Sequence, residues 1–245
     1  MKKIKVGAVS YLNTKPLLYG IKRSEILDKI ELIEEYPSAI ASMLLEDKID
    51  VGLVPVAIIP KLKEAHIITD VCISAIGEVA SVCLFSEVPI EQVEKVLLDY
   101  QSRTSVALFK ILLKEYWKKE VVFEDAKPNY QQDIKGTTAG VVIGDRALAQ
   151  RSISPYIYDL ATAWLQHTGL PFVFAAWVAN KQLPPDFISA FNQANLLGLQ
   201  HINEVIAEQG NYPTYNLETY YTQNISYELT DEKRKGLALF LEKLG

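Results

Sequence analysis

VCISAIGEVASVCLF, residues 71–85, is a longer extended apolar run than the other strand-like stretches of this chain, and a second such run, LPFVFAAWVA, spans 170–179. Between them, residues 86–169 alternate strand-like and helix-like segments of their own. Two long extended segments bracketing an inserted α/β block are what a chain crossing twice between two lobes looks like. It would leave a first lobe near Ser81–Ser86, build a second, and return near Phe172–Trp177. The expected division sets 1–82 with 175–245 in one discontinuous lobe and 83–174 in the other. Lobes joined by two crossovers form a cleft that can close on a small molecule.

Outward from these runs the strand–helix rhythm continues. Val6–Val9, Ile30–Glu34, Asp50–Pro55 and Glu94–Asp99 read as strands, and so do the shorter Val121–Phe123, Gly140–Ile143 and Ile157–Leu160. Ala39–Leu45 has helical periodicity, and Arg103 to about Lys118 carries a wide apolar stripe including Leu108, Phe109, Leu112 and Leu113. Repeated units of this length predict mostly parallel sheets covered by helices on both faces. Phe187–Glu208 reads as one long amphipathic helix, and Thr230–Leu244 as a terminal helix with Thr230 as its N-cap. Between them Gln209–Asn224, rich in Tyr, Asn and Thr, reads as an irregular surface loop.

Of the 245 residues 49% are hydrophobic and 22% charged, ordinary for a globular protein and against a largely disordered one. The formal charge of −5 argues against a nucleic-acid partner, which would concentrate Lys and Arg on one face. Lys110, Lys114, Lys118 and Lys119 do cluster, but at helical spacing beside Glu115 and Glu120, as a solvated helix face would. No apolar run reaches the ~18 residues of a membrane span. Met1-Lys2-Lys3 leads straight into the first strand without a signal-like segment, which predicts a cytoplasmic protein. Cys72 and Cys83 are expected to be buried and unpaired. His66, His167 and His201 are scattered without partners at ligand spacing, so no metal site is expected.

Four polar clusters follow strands and would face one cleft. Ser10 to Lys15, with Asn13 central, follows the first strand and would also cap the next helix. Val54 and Pro55 end a buried strand, where backbone atoms can reach a ligand. Ser81 is a small hydroxyl among apolar neighbours, and burying it without a partner would cost about 1–3 kcal/mol. Ser102-Arg103-Thr104-Ser105 joins a strand to a long helix. Its free amides at the positive end of the helix dipole, with the added hydroxyls, suit a carboxylate or phosphate. Gly144-Asp145 is a weaker candidate of the same kind, since Asp145 as a helix cap explains itself. G-x-S-x-G, G-x-x-x-x-G-K-[ST] and G-x-G-x-x-G are absent from the sequence. None of the clusters contains a histidine.

SYLNTKPL (10–17), DVGLVPVA (50–57), GEVASVCLFS (77–86), LDYQSRTSVALFKILL (98–113) and TGLPFVFAAW (168–177) together resemble the chorismate dehydratase family of the futalosine route to menaquinone. The resemblance runs in order from Val6 to about Ala179. It implies a two-lobe α/β fold like that of type II periplasmic binding proteins, with two crossover strands and a ligand cleft between the lobes. It further implies conversion of chorismate to 3-[(1-carboxyvinyl)oxy]benzoate and water, with no metal or organic cofactor. The small dicarboxylate substrate would be the partner. Asn13 and Ser81 would be the catalytic positions, and Ser10, Val54, Pro55, Ser102, Arg103, Thr104, Ser105, Gly144 and Asp145 would bind substrate. A sister family, 1,4-dihydroxy-6-naphthoate synthase, is similar around Thr104-Ser105 but uses a histidine after the strand matching Gly140–Ile143. Here Gly144-Asp145-Arg146 stands instead, which favours the dehydratase. A non-catalytic small-anion binder, such as a solute-binding protein or regulator domain, is the third reading.

No carboxylate is forced into the cleft by these motifs, and an amide cannot act as a base near neutral pH. The expected mechanism therefore uses the substrate's own enolpyruvyl carboxylate as base, with Asp145 as the acidic alternative.

Overall fold

A computed structural model describes residues 3–245; Met1 and Lys2, the start read above as leaderless, lie outside them. The chain forms two mixed sheets. The larger contains β1 (Ile4–Val9), β2 (Ile30–Glu35), β3 (Val51–Pro55), β4 (His66–Ala75), β10 (Phe172–Ala179) and β11 (Ser226–Glu228), in the order β11-β4-β10-β3-β1-β2. The smaller contains β5 (Val82–Ser86), β6 (Lys95–Leu98), β7 (Val122–Asp125), β8 (Thr138–Ile143) and β9 (Tyr156–Asp159), in the order β7-β6-β8-β5-β9. The helices are α1 (Lys15–Lys22), α2 (Ile26–Lys29), α3 (Pro37–Leu45), α4 (Thr104–Glu115), α5 (Asp145–Gln150), α6 (Leu160–Thr168), α7 (Pro185–Gln200), α8 (Ile202–Gln209), α9 (Leu217–Thr219) and α10 (Asp231–Leu244).

The sheets are less parallel than the sequence rhythm predicts. β1 pairs in parallel with β2 and β3, and β6 with β7 and β8. β10 instead lies antiparallel between β3 and β4, and β5 antiparallel between β8 and β9. Helix crossovers within a sheet give parallel neighbours. A strand that enters from the other lobe has no such constraint and here runs the opposite way.

The run 71–85 is two strands, not one. β4 ends at Ala75 and β5 starts at Val82 in the other sheet, so residues 76–81 form a turn between the two sheets. The second long run is continuous strand from Phe172. Residues 187–208 break at His201 into α7 and α8. Cys72 and Cys83 are buried and free, as expected. Among the described residues no helix is long and apolar enough to cross a membrane.

Helices α1 and α7 pack closely. Gly20 and Gly198 bring the two backbones together: a Cβ on Gly198 would sit 1.7 Å from the Pro16 carbonyl oxygen, and one on Gly20 1.9 Å from that of Ala194. No larger residue fits at either place. On the other side Trp164 and Phe240 pack edge-on against Phe172, with ring centroids 5.3 and 5.0 Å away. This cluster anchors β10 to α6 and α10.

Candidate active site

A narrow cleft opens where the strand ends of both sheets face each other, with about 540 Å³ of atom-free space counting its mouth. Its walls are apolar side chains such as Leu53, Ile73, Ile143 and Phe174. Its polar surface comes from Tyr11, Asn13, Thr14, Ser81, Ser102, Thr104 and Ser105. Among the described residues no Asp, Glu, Lys, Arg or His side chain lines it. The site is therefore neutral and rich in hydroxyl and amide donors. Among the same residues no cluster of His, Cys, Asp and Glu is suited to a metal ion.

The turn into α4 is tighter than its sequence suggests. The helix starts at Thr104, and Ser102 Oγ accepts the Ser105 amide at 3.0 Å. One of the amides expected to be free is thus already used. Thr104 Oγ1 accepts the Ala57 amide of the other lobe at 3.1 Å, which leaves its own proton for the cleft. Arg103 does not line the cleft; its Nη2 donates 3.0 Å to Ser42 Oγ on α3.

Ser81 is fully buried from bulk solvent and lines the cleft. The loop carrying it is held in an unusual conformation, with Ala80 at φ +62°, left-handed and costly for a residue with a Cβ. Asp159, at the start of α6, offsets that cost. One carboxylate oxygen accepts the Val79 and Ala80 amides at 3.1 and 2.8 Å, and the other accepts Ala161 and Thr162 at 3.1 and 3.0 Å. Burial still pushes the Asp159 carboxyl above the usual carboxylate range, with the amides opposing the shift.

Asn13 sits on the single turn Leu12–Thr14, where its Oδ1 accepts the Thr14 hydroxyl at 3.2 Å. Its amide nitrogen has no partner among the described residues and is available to a ligand. Asp145 opens α5 but stays outside the cleft lining. Its Oδ1 accepts the Leu12 amide at 3.1 Å, a bond from the smaller sheet's lobe to the larger one's. Burial raises its carboxyl, while the Leu12 bond and the Lys15 and Arg146 charges pull it back in part. Gly144, at φ +64°, lets the Tyr11 ring lie against it; a Cβ there would come within 2.8 Å of that ring.

Seven of the expected positions come together in the cleft: Asn13, Pro55, Ser81, Ser102, Thr104, Ser105 and Gly144. Val54 does not, because strand alternation turns it to the opposite face from Leu53 and Pro55. Ser10 is exposed, its amide bonded to the Glu35 carbonyl at 3.2 Å. Tyr11 lies within the Ser10–Lys15 cluster but is not singled out by the sequence, and the network behind it carries no sequence signal. Tyr11 donates to Gln101 Oε1, which also accepts Arg146 Nη2 at 2.9 Å. Arg146 bonds Asp99 at 2.8 and 3.0 Å, and Asp99 takes the Tyr130 hydroxyl at 2.7 Å. A buried Asp after a strand facing an Arg that opens a helix carries no local signal of pairing.

The segment read as a surface loop also reaches the site. Tyr220 to Asn224 form a π-helical turn. Tyr220 is fully buried and its hydroxyl donates 2.8 Å to Ser81 Oγ. Tyr227 donates 2.9 Å to the Asn13 carbonyl.

The sequence profile described as menaquinone biosynthesis matches residues 4–245. A protein of Thermus thermophilus named chorismate dehydratase is 29% identical over 100% of this chain and 96% of its own length. A second protein of that name, from Campylobacter jejuni, is 25% identical over 96% and 95% of the two chains. Among solved structures, a Candida albicans protein described as having the generic periplasmic binding protein fold superposes with a TM-score of 0.61. It is 14% identical over 98% of this chain and 90% of that one, a likeness in fold alone. The two-lobe architecture and the profile spanning nearly the whole chain agree, and the chain belongs to the menaquinone biosynthesis family.

Proposed function

We propose that this cleft dehydrates chorismate to 3-[(1-carboxyvinyl)oxy]benzoate. The observation that carries the reading is a donor-rich cleft without a basic or acidic side chain in its lining. An elimination there must find its base on the substrate. The enolpyruvyl carboxylate removes the proton from the ring carbon bearing the ether, to which it is tethered. Such placement is worth several kcal/mol, up to about 7–11 in ideal geometry. The electron pair moves through the ring double bond onto the ring carboxylate. The neighbouring hydroxyl then leaves as water, taking the proton that the enolpyruvyl carboxyl now holds, and the ring becomes aromatic.

In this reading Asn13 and Ser81 orient the enolpyruvyl carboxylate or the departing hydroxyl. The Thr104 and Ser105 hydroxyls, with the amides opening α4, hold a carboxylate. Gly144, Pro55 and Ser102 shape the pocket. Fixed donors around growing charge are the usual source of such rate enhancement. The reaction needs neither metal nor organic cofactor.

The lobe division belongs to the same proposal. Sheet membership supports it, with β5 opening at Val82 and β10 at Phe172 favouring a departure at Ser81 and a return at Phe172. A cytoplasmic location is part of the proposal too, and fractionation tests it.

Incubation of the purified protein with chorismate, followed by mass spectrometry, tests the reaction through an aromatic product lighter by one water. Turnover of cyclic dehypoxanthine futalosine instead would move the chain to the sister activity, and tight binding of chorismate without turnover would make it a binder.

A further inference from the structure

Two of the cleft's donors rest on one C-terminal segment. Tyr220 reaches Ser81 Oγ, and Tyr227 reaches the carbonyl of Asn13. Asn224, between them, donates 3.1 Å to the Glu78 carbonyl in the loop that carries Ser81. Tyr215 in turn fixes Asn224, donating 3.1 Å to its Oδ1. The π-helical turn Tyr220–Asn224 directs Tyr220 and Asn224 onto the same loop. Such turns recur at functional sites.

A serine hydroxyl is both donor and acceptor, and its proton rotates to suit its neighbours. A phenol is the stronger acid of the two, so in the Tyr220–Ser81 pair the tyrosine donates. Burial keeps that phenol protonated, raising it well above its usual range. The Ser81 oxygen is then occupied on its buried side, and its own proton is left for the cleft.

We infer that Tyr220 is a positioning residue of the reaction, which by donating to Ser81 Oγ fixes the Ser81 proton toward the substrate. The inference rests on the dehydratase reading above. It assigns the Tyr-rich segment a part in catalysis through Ser81, without contact with substrate. In the transition state Ser81 then acts as a donor only, toward the carboxylate that takes the proton or the oxygen that leaves.

The test is a double-mutant cycle on chorismate turnover with wild type, Tyr220→Phe, Ser81→Ala and the double variant, each checked by thermal denaturation. Tyr220→Phe should lower kcat about tenfold and leave KM within about twofold, because the lost effect is on the transition state. Ser81→Ala should lower kcat further, and adding Tyr220→Phe to it should change nothing more. Unchanged kcat in Tyr220→Phe overturns the inference. So does a loss that recurs in the Ser81→Ala background, which marks a structural role. If the phenylalanine variant does not fold, fluorotyrosine at 220 keeps the bond with a more acidic phenol. It should alter kcat in the wild type but not in Ser81→Ala, and an equal effect in both overturns the inference. Wild-type protein that does not turn over chorismate overturns the dehydratase reading, and this role with it.

Discussion

The two passages between the lobes are built differently. The outgoing one, 76–81, is a turn with a left-handed Ala80, and it ends on a hydroxyl in the cleft. The returning one is a capped helix, α6, a Gly169 turn at φ +74°, and the strand β10, whose register on β4 shifts at Phe174 and which presents Phe174 and Ala175 to the cleft. One supplies a donor from a left-handed turn, and the other supplies an apolar wall from an extended strand. Asp159 joins them, with one oxygen on each. The difference teaches where conformational strain is tolerated: at the passage whose polar group must be aimed, with a buried carboxylate to hold it.

If the contrast between donors and wall is right, removing a donor is the largest single loss. Asn13→Ala should reduce kcat on chorismate by roughly 10²–10³, the range for one preorganised donor, without altering the melting temperature much. A loss confined to KM would make Asn13 a binding group only.

Next in size is the joint itself. Asp159→Asn replaces one of its two acceptor oxygens by a donor facing backbone amides, and should cost about 2–3 kcal/mol in urea unfolding. Turnover should fall as well, because Ala80 and Ser81 lose their anchor. A variant as stable as wild type would break the view that one carboxylate holds both passages.

The wall should respond more weakly. Phe174→Leu removes part of an apolar surface worth about 1 kcal/mol to a bound ring, so KM should rise about fivefold with kcat nearly constant. A larger effect on kcat than on KM would erase the distinction between the two passages.

The smallest effect is expected at Asp145. Asp145→Asn should change kcat by less than about twofold, since the side chain lies outside the cleft lining and Asn still accepts the Leu12 amide. Its signature is in stability. Burial raises the folded-state carboxyl, so the folded protein holds that proton more tightly than the unfolded chain does. Stability from this group is therefore greatest in acid and is lost as pH rises from the unfolded value through the elevated folded one. Melting curves across that acid range should be flatter for the Asn variant. Abolished turnover with chorismate still bound would make Asp145 the base and end the substrate-assisted mechanism.

Much of this was legible in the residues, for physical reasons. Strand and helix periodicity and the two long apolar runs point to a two-lobe α/β fold, and residues of the hydroxyl-rich turn before α4 are among the seven expected positions that line the cleft. Gly144 stood out only as part of a second anion-binding turn; its positive φ against the Tyr11 ring is visible only in the fold. Left-handed Ala80 was not readable either, since what permits it is a carboxylate far along the chain. Val54 and Arg103 were misassigned for a related reason: a motif names neighbours in sequence, while strand alternation and side-chain direction decide which of them face a ligand. The Tyr-rich segment was read as surface because tyrosine, asparagine and threonine are common in loops. Much of it is exposed, and the burial of Tyr220 and Asn224 at its end depends on the Ser81 loop, which only the fold brings to it.

The position of β10 has a consequence for how the protein is made. β10 lies between β3 and β4, yet it is synthesised long after both. On the ribosome the first four strands emerge with a gap at the centre of their sheet. The smaller sheet, encoded wholly by residues 82–159, has all its strands before that gap can be filled. The lobe that comes first in sequence is thus the one completed last. Its closure waits on distant pairing, the kind of contact that slows folding and leaves strand edges open meanwhile.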